Sequence, residues 1–245
     1  VDPADPDRVY SLHTIVTVSE DGGASFEEFI PYNLVHPDHH AMWIDPTDPN
    51  RIVNGNDGGI ALSIDRGESW RFVRNLPLAQ YYHVSVDMDV PYNVYGGMQD
   101  NGSCRGPSSV WENGGIRNHH WSEVGFGDGF GCVTLPGSTN RGYGMSQGGA
   151  LYRWNDITGE RAAIRPDGPE GTKLRFAWNA GLALDPFDPN ALFYGSQFVH
   201  LSRDMGHTWT TISPDLSTNE PRWQRQAESG GLSRDVTAAE NHCTI

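Results

Sequence analysis

Apolar and polar positions alternate along this chain in short stretches of four to six residues. Gly-rich or Pro-rich turns punctuate them. In the clearest segment the stretches are "AMWID" (41–45), "RIVNGN" (51–56), "IALSI" (60–64) and "WRFVR" (70–74). A period near two over such lengths predicts half-buried β-strands, here called A to D in order. Heptads and long amphipathic helical patterns are absent.

The strands recur. "SEDGGASF" (19–26), "SIDRGESW" (63–70) and "SRDMGHTW" (202–209) all fit Ser-x-Asp-x-Gly-x-[Ser/Thr]-[Trp/Phe]. An Asp-Pro motif precedes each: "DPADPDRV" (2–9), "DPTDPNRI" (45–52) and "DPFDPNAL" (185–192). The first Asp of each motif precedes the Asp of its box by 19, 20 and 19 residues. Asp21 and Asp65 are 44 residues apart, and Asp65 and Asp204 are 139 apart, which leaves room for two degenerate repeats. These are "VDMDVPYNVYGGMQDNGS" (86–103) and a segment from 132 whose box reads "RWNDITGE". Four-stranded units at a period of 40–50 predict an all-β fold of antiparallel β-propeller blades. The expected blades are 1–30, 36–76, 79–124, 126–166 and 174–214, with a lone strand at 235–245. The two ends would complete a five-bladed ring, or the chain would be part of a larger propeller.

The box is a turn by its chemistry. Asp, Ser and Thr side chains bond nearby backbone groups, Gly takes positive φ without strain, and a terminal aromatic packs between sheets. Structural roles are therefore expected for Ser19, Asp21, Gly23 and Phe26, for Ser63, Asp65, Gly67 and Trp70, and for Ser202, Asp204, Gly206 and Trp209.

Composition narrows function. A net charge of −14 over 245 residues opposes nucleic-acid binding and attachment to anionic membranes, and apolar runs are too short to span a bilayer. Cys104, Cys132 and Cys243 match no zinc spacing. A Cys104–Cys132 disulfide and three free thiols both remain open.

The three boxes resemble the Asp-box, or BNR, repeats of sialidases, sortilin-type propellers and xyloglucanase-type propellers. The stretches "HPDHHAMWIDP", "GNDGGIALSIDRGESW", "YNVYGGMQDNGS" and "AENH" resemble bacterial BNR-repeat proteins of glycosyl hydrolase-like type. The resemblance implies a secreted or periplasmic propeller that contacts polysaccharide, within a longer parent protein. The alternative it implies is a sortilin-like scaffold that grips a peptide. A sialidase would need an arginine triad, and Lys plus Arg total only 17.

In four antiparallel strands the D-to-A link and the B-to-C turn emerge on one face, and the box on the other. The link-and-turn face carries the candidates. "NDGG" (56–59) is similar to the Asp-x-Gly-Gly turn that holds a catalytic Asp in xyloglucanase-type propellers, which assigns Asp57. Asp100 occupies the equivalent turn of the next unit. Glycoside hydrolysis needs two flanking carboxylates, and Asp57 and Asp100 are the expected pair. Asp38, His39, His40, Trp43, Gln99, Asn101, Asp128, Gln197, Glu240 and His242 are the expected ligand-contacting residues. "HPDHH" (36–40) is rich in ligand types, but lacks a second cluster. A channel-lining role is expected for it, with no bound metal and no cofactor.

Overall fold

The computed structural model describes residues 1–76, 78–224 and 243–245. Contacts divide the chain into two compact units, Val1–Leu78 and Ala79–Ile245. The architecture is all-β: sequential antiparallel meanders of the β-propeller blade type.

The first unit holds two sheets. One has three strands, β1 (Val9–Leu12), β2 (Val16–Ser19) and β3 (Glu27–Ile30). The other has four, β4 (His39–Ile44), β5 (Ile52–Asn56), β6 (Gly59–Ser63) and β7 (Arg71–Phe72). Their core is Val16, Ile30, Val35 and Ala61, with Met42, Trp70 and Phe72 packed on it. The outer strand, β7, is two residues long, shorter than the 70–74 stretch suggests, because the chain turns at Arg74 and Asn75.

The second unit holds three four-stranded sheets. The third blade is β8 (Tyr81–Val86), β9 (Asn93–Met98), β10 (Ser103–Pro107) and β11 (Ser122–Gly125). The fourth is β12 (Gly129–Thr134), β13 (Arg141–Ser146), β14 (Ala150–Asn155) and β15 (Glu160–Ala163). The fifth is β16 (Leu182–Leu184), β17 (Leu192–Gly195), β18 (Val199–Ser202) and β19 (Thr210–Thr211). Tyr95, Val124, Cys132, Tyr152 and Trp154 form one buried cluster. A larger one joins Phe130, Tyr143, Met145 and Leu151 to Phe176, Leu192 and Tyr194.

The expected lone strand at 235–245 lies outside the described residues except for 243–245, which form no strand. Those three are nonetheless tied down. Ile245 N–H donates to Ser196 O at 2.8 Å, and Arg175 Nε donates to Cys243 O at 3.0 Å.

The box turns repeat atom for atom. In each, the Ser hydroxyl donates to the Asp carboxylate and accepts the amides of that Asp and of the box Gly. The Asp also accepts both the amide and the hydroxyl four residues on. The residue after the Asp, Gly22, Arg66 or Met205, has positive φ. Its amide donates to the A-to-B turn, at Asp7 O, Asn50 O or Asn190 O. The degenerate box keeps that last link, from Asp156 N–H to Asn140 O.

The box also grips the preceding sheet. Trp209 Nε1 donates to Ile164 O at 2.8 Å, and Trp70 meets Phe29 edge-on at 6.0 Å. Phe26, by contrast, is an exposed ring.

These hydrogen bonds set an acid limit. Bonds from the Ser25 and Ser19 hydroxyls hold the Asp21 carboxyl down at about 2. Thr208 does the same for Asp204, also to about 2, and Ser69 lowers Asp65. Burial lowers His200, whose ring hydrogen-bonds Ser196 Oγ at 2.8 Å. All four folded pKa values lie below the unfolded ones, so the unfolded chain binds more protons in each interval and stability falls as pH falls. We expect an unfolding temperature that declines first below about pH 6.5, as His200 is forced to charge, and again from about pH 4 to 2. Thermal unfolding followed from pH 8 to 2 checks this. His200→Gln should remove the upper step alone, and a curve flat down to pH 2 contradicts both assignments.

Candidate functional site

In the first unit the link 36–40 meets the turn 56–59. Asp38 has φ of 58°. Its amide donates to Thr14 O, and its carbonyl accepts the Asp57 amide at 3.2 Å. Alternation along β4 sends the adjacent His39 and His40 opposite ways, and the strand bulges at His40, which pairs with no residue of β5. His39 is buried, with Nδ1 donating to Asn54 Oδ1 at 2.7 Å. His40 points to solvent, and its Nε2 lies 2.8 Å from Asp57 Oδ1. His36 packs over Gly58, where a Cβ would sit 2.4 Å from its own Cβ. Trp43 is 53% exposed.

In the second unit the turn 98–102, the link 125–130 and the turn 146–149 are laced together. Asp128 Oδ1 accepts the Asp100 amide at 2.9 Å, and Gln147 Oε1 accepts the Asp128 amide at 2.9 Å. Gly102 N–H donates to Gly127 O at 2.7 Å, and Gln99 N–H to Gln80 O at 3.1 Å. Asn101 Nδ2 donates to Gln99 O. Gln197 is wholly buried; its Oε1 accepts the Arg175 amide and its Nε2 donates to Lys173 O.

The expected ligand contacts therefore divide. His39, Asp128 and Gln197 are buried groups that hold turns, because each satisfies a backbone or side-chain partner that water cannot reach. Asp57, His40, Trp43, Asp100 and Asn101 remain at the surface or half-buried. Glu240 and His242 lie outside the described residues. Asp100 and Asp128 are brought together, whereas Asp57 and Asp100 belong to different compact units. Every carboxylate whose pKa is displaced is displaced downward.

Two features escaped the sequence reading. His83 on β8 accepts a hydrogen bond from Asn179 Nδ2 at 2.8 Å. They border a cleft of about 410 Å³ along the innermost strands β8, β12 and β16. The hint in sequence is the pair of polar residues, His83 and Ser85, in an A strand whose other residues are Tyr and Val. Gln147 also went unremarked within "SQGG".

Among the described residues, the one group with metal-ligand spacing is Glu112, His119 and His120. His120 Nδ1 accepts the Arg117 amide at 2.9 Å, so its Nε2 keeps the proton and bonds Glu112 at 3.0 Å. A metal at that nitrogen would require an imidazolate, and the site does not suit one.

The cysteines are free. Cys104 pairs with Gly96, one position along from the Tyr95–Arg105 pair. Tyr95 packs with Cys132, so alternation turns Cys104 to the other face of its sheet. Burial pushes the Cys132 thiol up to about 12.

No family model matches the chain, and no curated protein does. Solved structures do. A GH74 xyloglucanase from Xanthomonas campestris is 19% identical over 88% of this chain and 38% of its own, with a TM-score of 0.39. A GH74 enzyme from Niastella koreensis is 17% identical over 89% and 38%, with a TM-score of 0.36. YCF48 from Cyanidioschyzon merolae is 16% identical over 84% and 69%, with a TM-score of 0.34. The chain thus spans well under half the length of the two GH74 proteins. No helix among the described residues is long and apolar enough to cross a membrane.

Proposed function

We propose that this chain is an extracytoplasmic Asp-box propeller module of a glycosyl hydrolase-like protein and contacts polysaccharide on its link-and-turn face. The observation that carries the reading is the set of half-exposed carboxylates and amides on turns that are already fixed. Asp57 stands on a backbone tied to Asp38, and Asp100 and Asn101 on one tied to Asp128. Polar groups that are held before binding suit a hydroxyl-rich ligand, since little ordering cost remains. Trp43 is exposed near the A-to-B end of β4, away from the turns that carry Asp57 and Asp100.

Hydrolysis is the catalytic form of this reading, with Asp57 and Asp100 as its acids. Asp57 shares a hydrogen bond with the exposed imidazole of His40, which gives a carboxylate a route for exchanging a proton with solvent. The second reading is a scaffold that binds peptide without chemistry. What favours it is the use of Asp128 as a backbone acceptor, which removes one carboxylate from the face.

A glycan array and a hydrolysis screen on the protein carrying this chain separate the two. Asp57→Asn and Asp100→Asn should each cut turnover by about 10²–10⁴-fold with glycan binding retained. Unchanged turnover in both variants removes the catalytic assignment. Absence of glycan binding, together with peptide capture on the same face, favours the scaffold.

A further inference from the structure

A cleft of about 550 Å³ lies between the outer strands of the third and fourth blades, within the size range of small-molecule sites. It opens on the link-and-turn face, because Phe126 follows β11, Ala150 begins β14 and Arg165 follows β15. Its lining is mostly apolar: buried Val124, Leu151 and Tyr152 lie beneath it, and Ala163 is exposed beside it. Phe126 stands at the edge, 63% exposed, with its ring 5.8 Å from that of Tyr152 and inclined by 27°. An exposed phenyl stacked on a buried ring is a platform for another flat apolar group.

Three charged residues border the cleft. Arg161 is committed to Asp156 at 2.9 Å and to the Glu123 carbonyl at 3.2 Å. Glu123 is exposed on the β11 rim, where that strand bulges against β10. Arg165 remains. Its guanidinium lies 4.5 Å from the centre of the Phe176 ring, and it has no hydrogen bond or ion pair among the described residues. In a chain of net charge −14, a guanidinium with no acidic partner among the described residues, held over an aromatic face beside an apolar cleft, offers a site for one anionic group.

We propose that this cleft binds a small carboxylic acid with an apolar, ring-sized body, an arylalkanoate. Its ring lies against the exposed Phe126 and Ala163, and its carboxylate meets Arg165. A sugar acid fits the cation and not the walls, since its hydroxyls would lose water against Phe126 and Ala163 without gaining partners. The proposal is independent of the polysaccharide reading.

The test titrates 3-phenylpropanoate, 3-phenylpropanamide and glucuronate into the protein by calorimetry. The acid should bind, with the amide weaker by about tenfold for the loss of one charge-assisted contact and glucuronate weaker still. Arg165→Gln should erase the difference between acid and amide, and Phe126→Ala should weaken both. Both side chains are exposed, so unchanged unfolding temperatures are expected, and the acid–amide comparison on the unaltered protein stands without either variant. Equal binding of acid and amide, glucuronate binding as tight as the acid, or no binding of the acid overturns the proposal.

Discussion

Asp87→Ala should be among the most destabilising single substitutions in the chain, costing about 3 kcal/mol. Asp87 is 4% exposed and sits in the A-to-B turn of the third blade. Its carboxylate accepts the amides of Asp89 and Asn93, the side-chain amide of Asn93 and the hydroxyl of fully buried Tyr95. Burial by itself would raise its pKa; the bonds from Asn93, Tyr95 and Asp89 outweigh that and hold it low. Alanine leaves the Asp89 and Asn93 donors unpaired, while the Tyr95 hydroxyl keeps Thr139 O at 2.8 Å, and each buried orphan carries its own desolvation cost. For a unit of this size the unfolding temperature should fall by roughly 6–12 °C. Asp45 makes the equivalent bond to Thr47 on the solvent side of its turn, and Asp45→Ala should shift the transition less. Equal effects at the two sites would show that burial does not govern the repeat's turns.

That pair of turns also shows what can be read from sequence. "DPTDPN" announces itself, whereas "DMDVPYN" blurs the motif and keeps the Asp. Strand order was legible because local side-chain-to-backbone bonds punctuate it, and such bonds depend only on neighbours in sequence. What was not legible is long-range. His39 and His40 are adjacent and alternate, but only the packing of β4 decides that His39 is buried against Asn54 while His40 faces solvent. Asp100 and Asp128 are both Asp in Gly-rich loops, and only the fold reveals that one carboxylate caps the other's amide. Gln197 lies in a turn of the kind that reaches solvent, but is sealed by Lys173 and Arg175. Arg165 had no motif to mark it, because its meaning comes from Phe176 and from the neighbouring blade's Phe126.

Gly97→Ala tests whether the laced turns of the second unit depend on the close approach of two blades. Gly97 is the penultimate residue of β9, two residues before Gln99. A Cβ there would lie 2.2 Å from the Gly129 carbonyl carbon and 2.3 Å from the Phe130 amide nitrogen. The obstacle is backbone, which cannot rotate away as a side chain can, so β9 and β12 must separate. Overpacking of a core by a methyl group costs about 1–3 kcal/mol, and we expect the upper end. Separation should also break the Asp100–Asp128 and Gly102–Gly127 bonds, since both cross the same junction. Hydrogen exchange at the Asp100 and Gly102 amides should then quicken beyond what the global loss of stability explains. Gly131→Ala is the control, because its Cβ would meet side chains alone, Met145 Sδ at 3.1 Å, Met145 Cγ at 3.4 Å and Leu182 Cδ2 at 3.7 Å; its effect should be small and the turn amides should stay protected. If Gly97→Ala leaves exchange at Asp100 and Gly102 unchanged, the carboxylate of Asp128 does not fix the turn that carries Asp100, and the preorganisation on which the polysaccharide reading depends is lost.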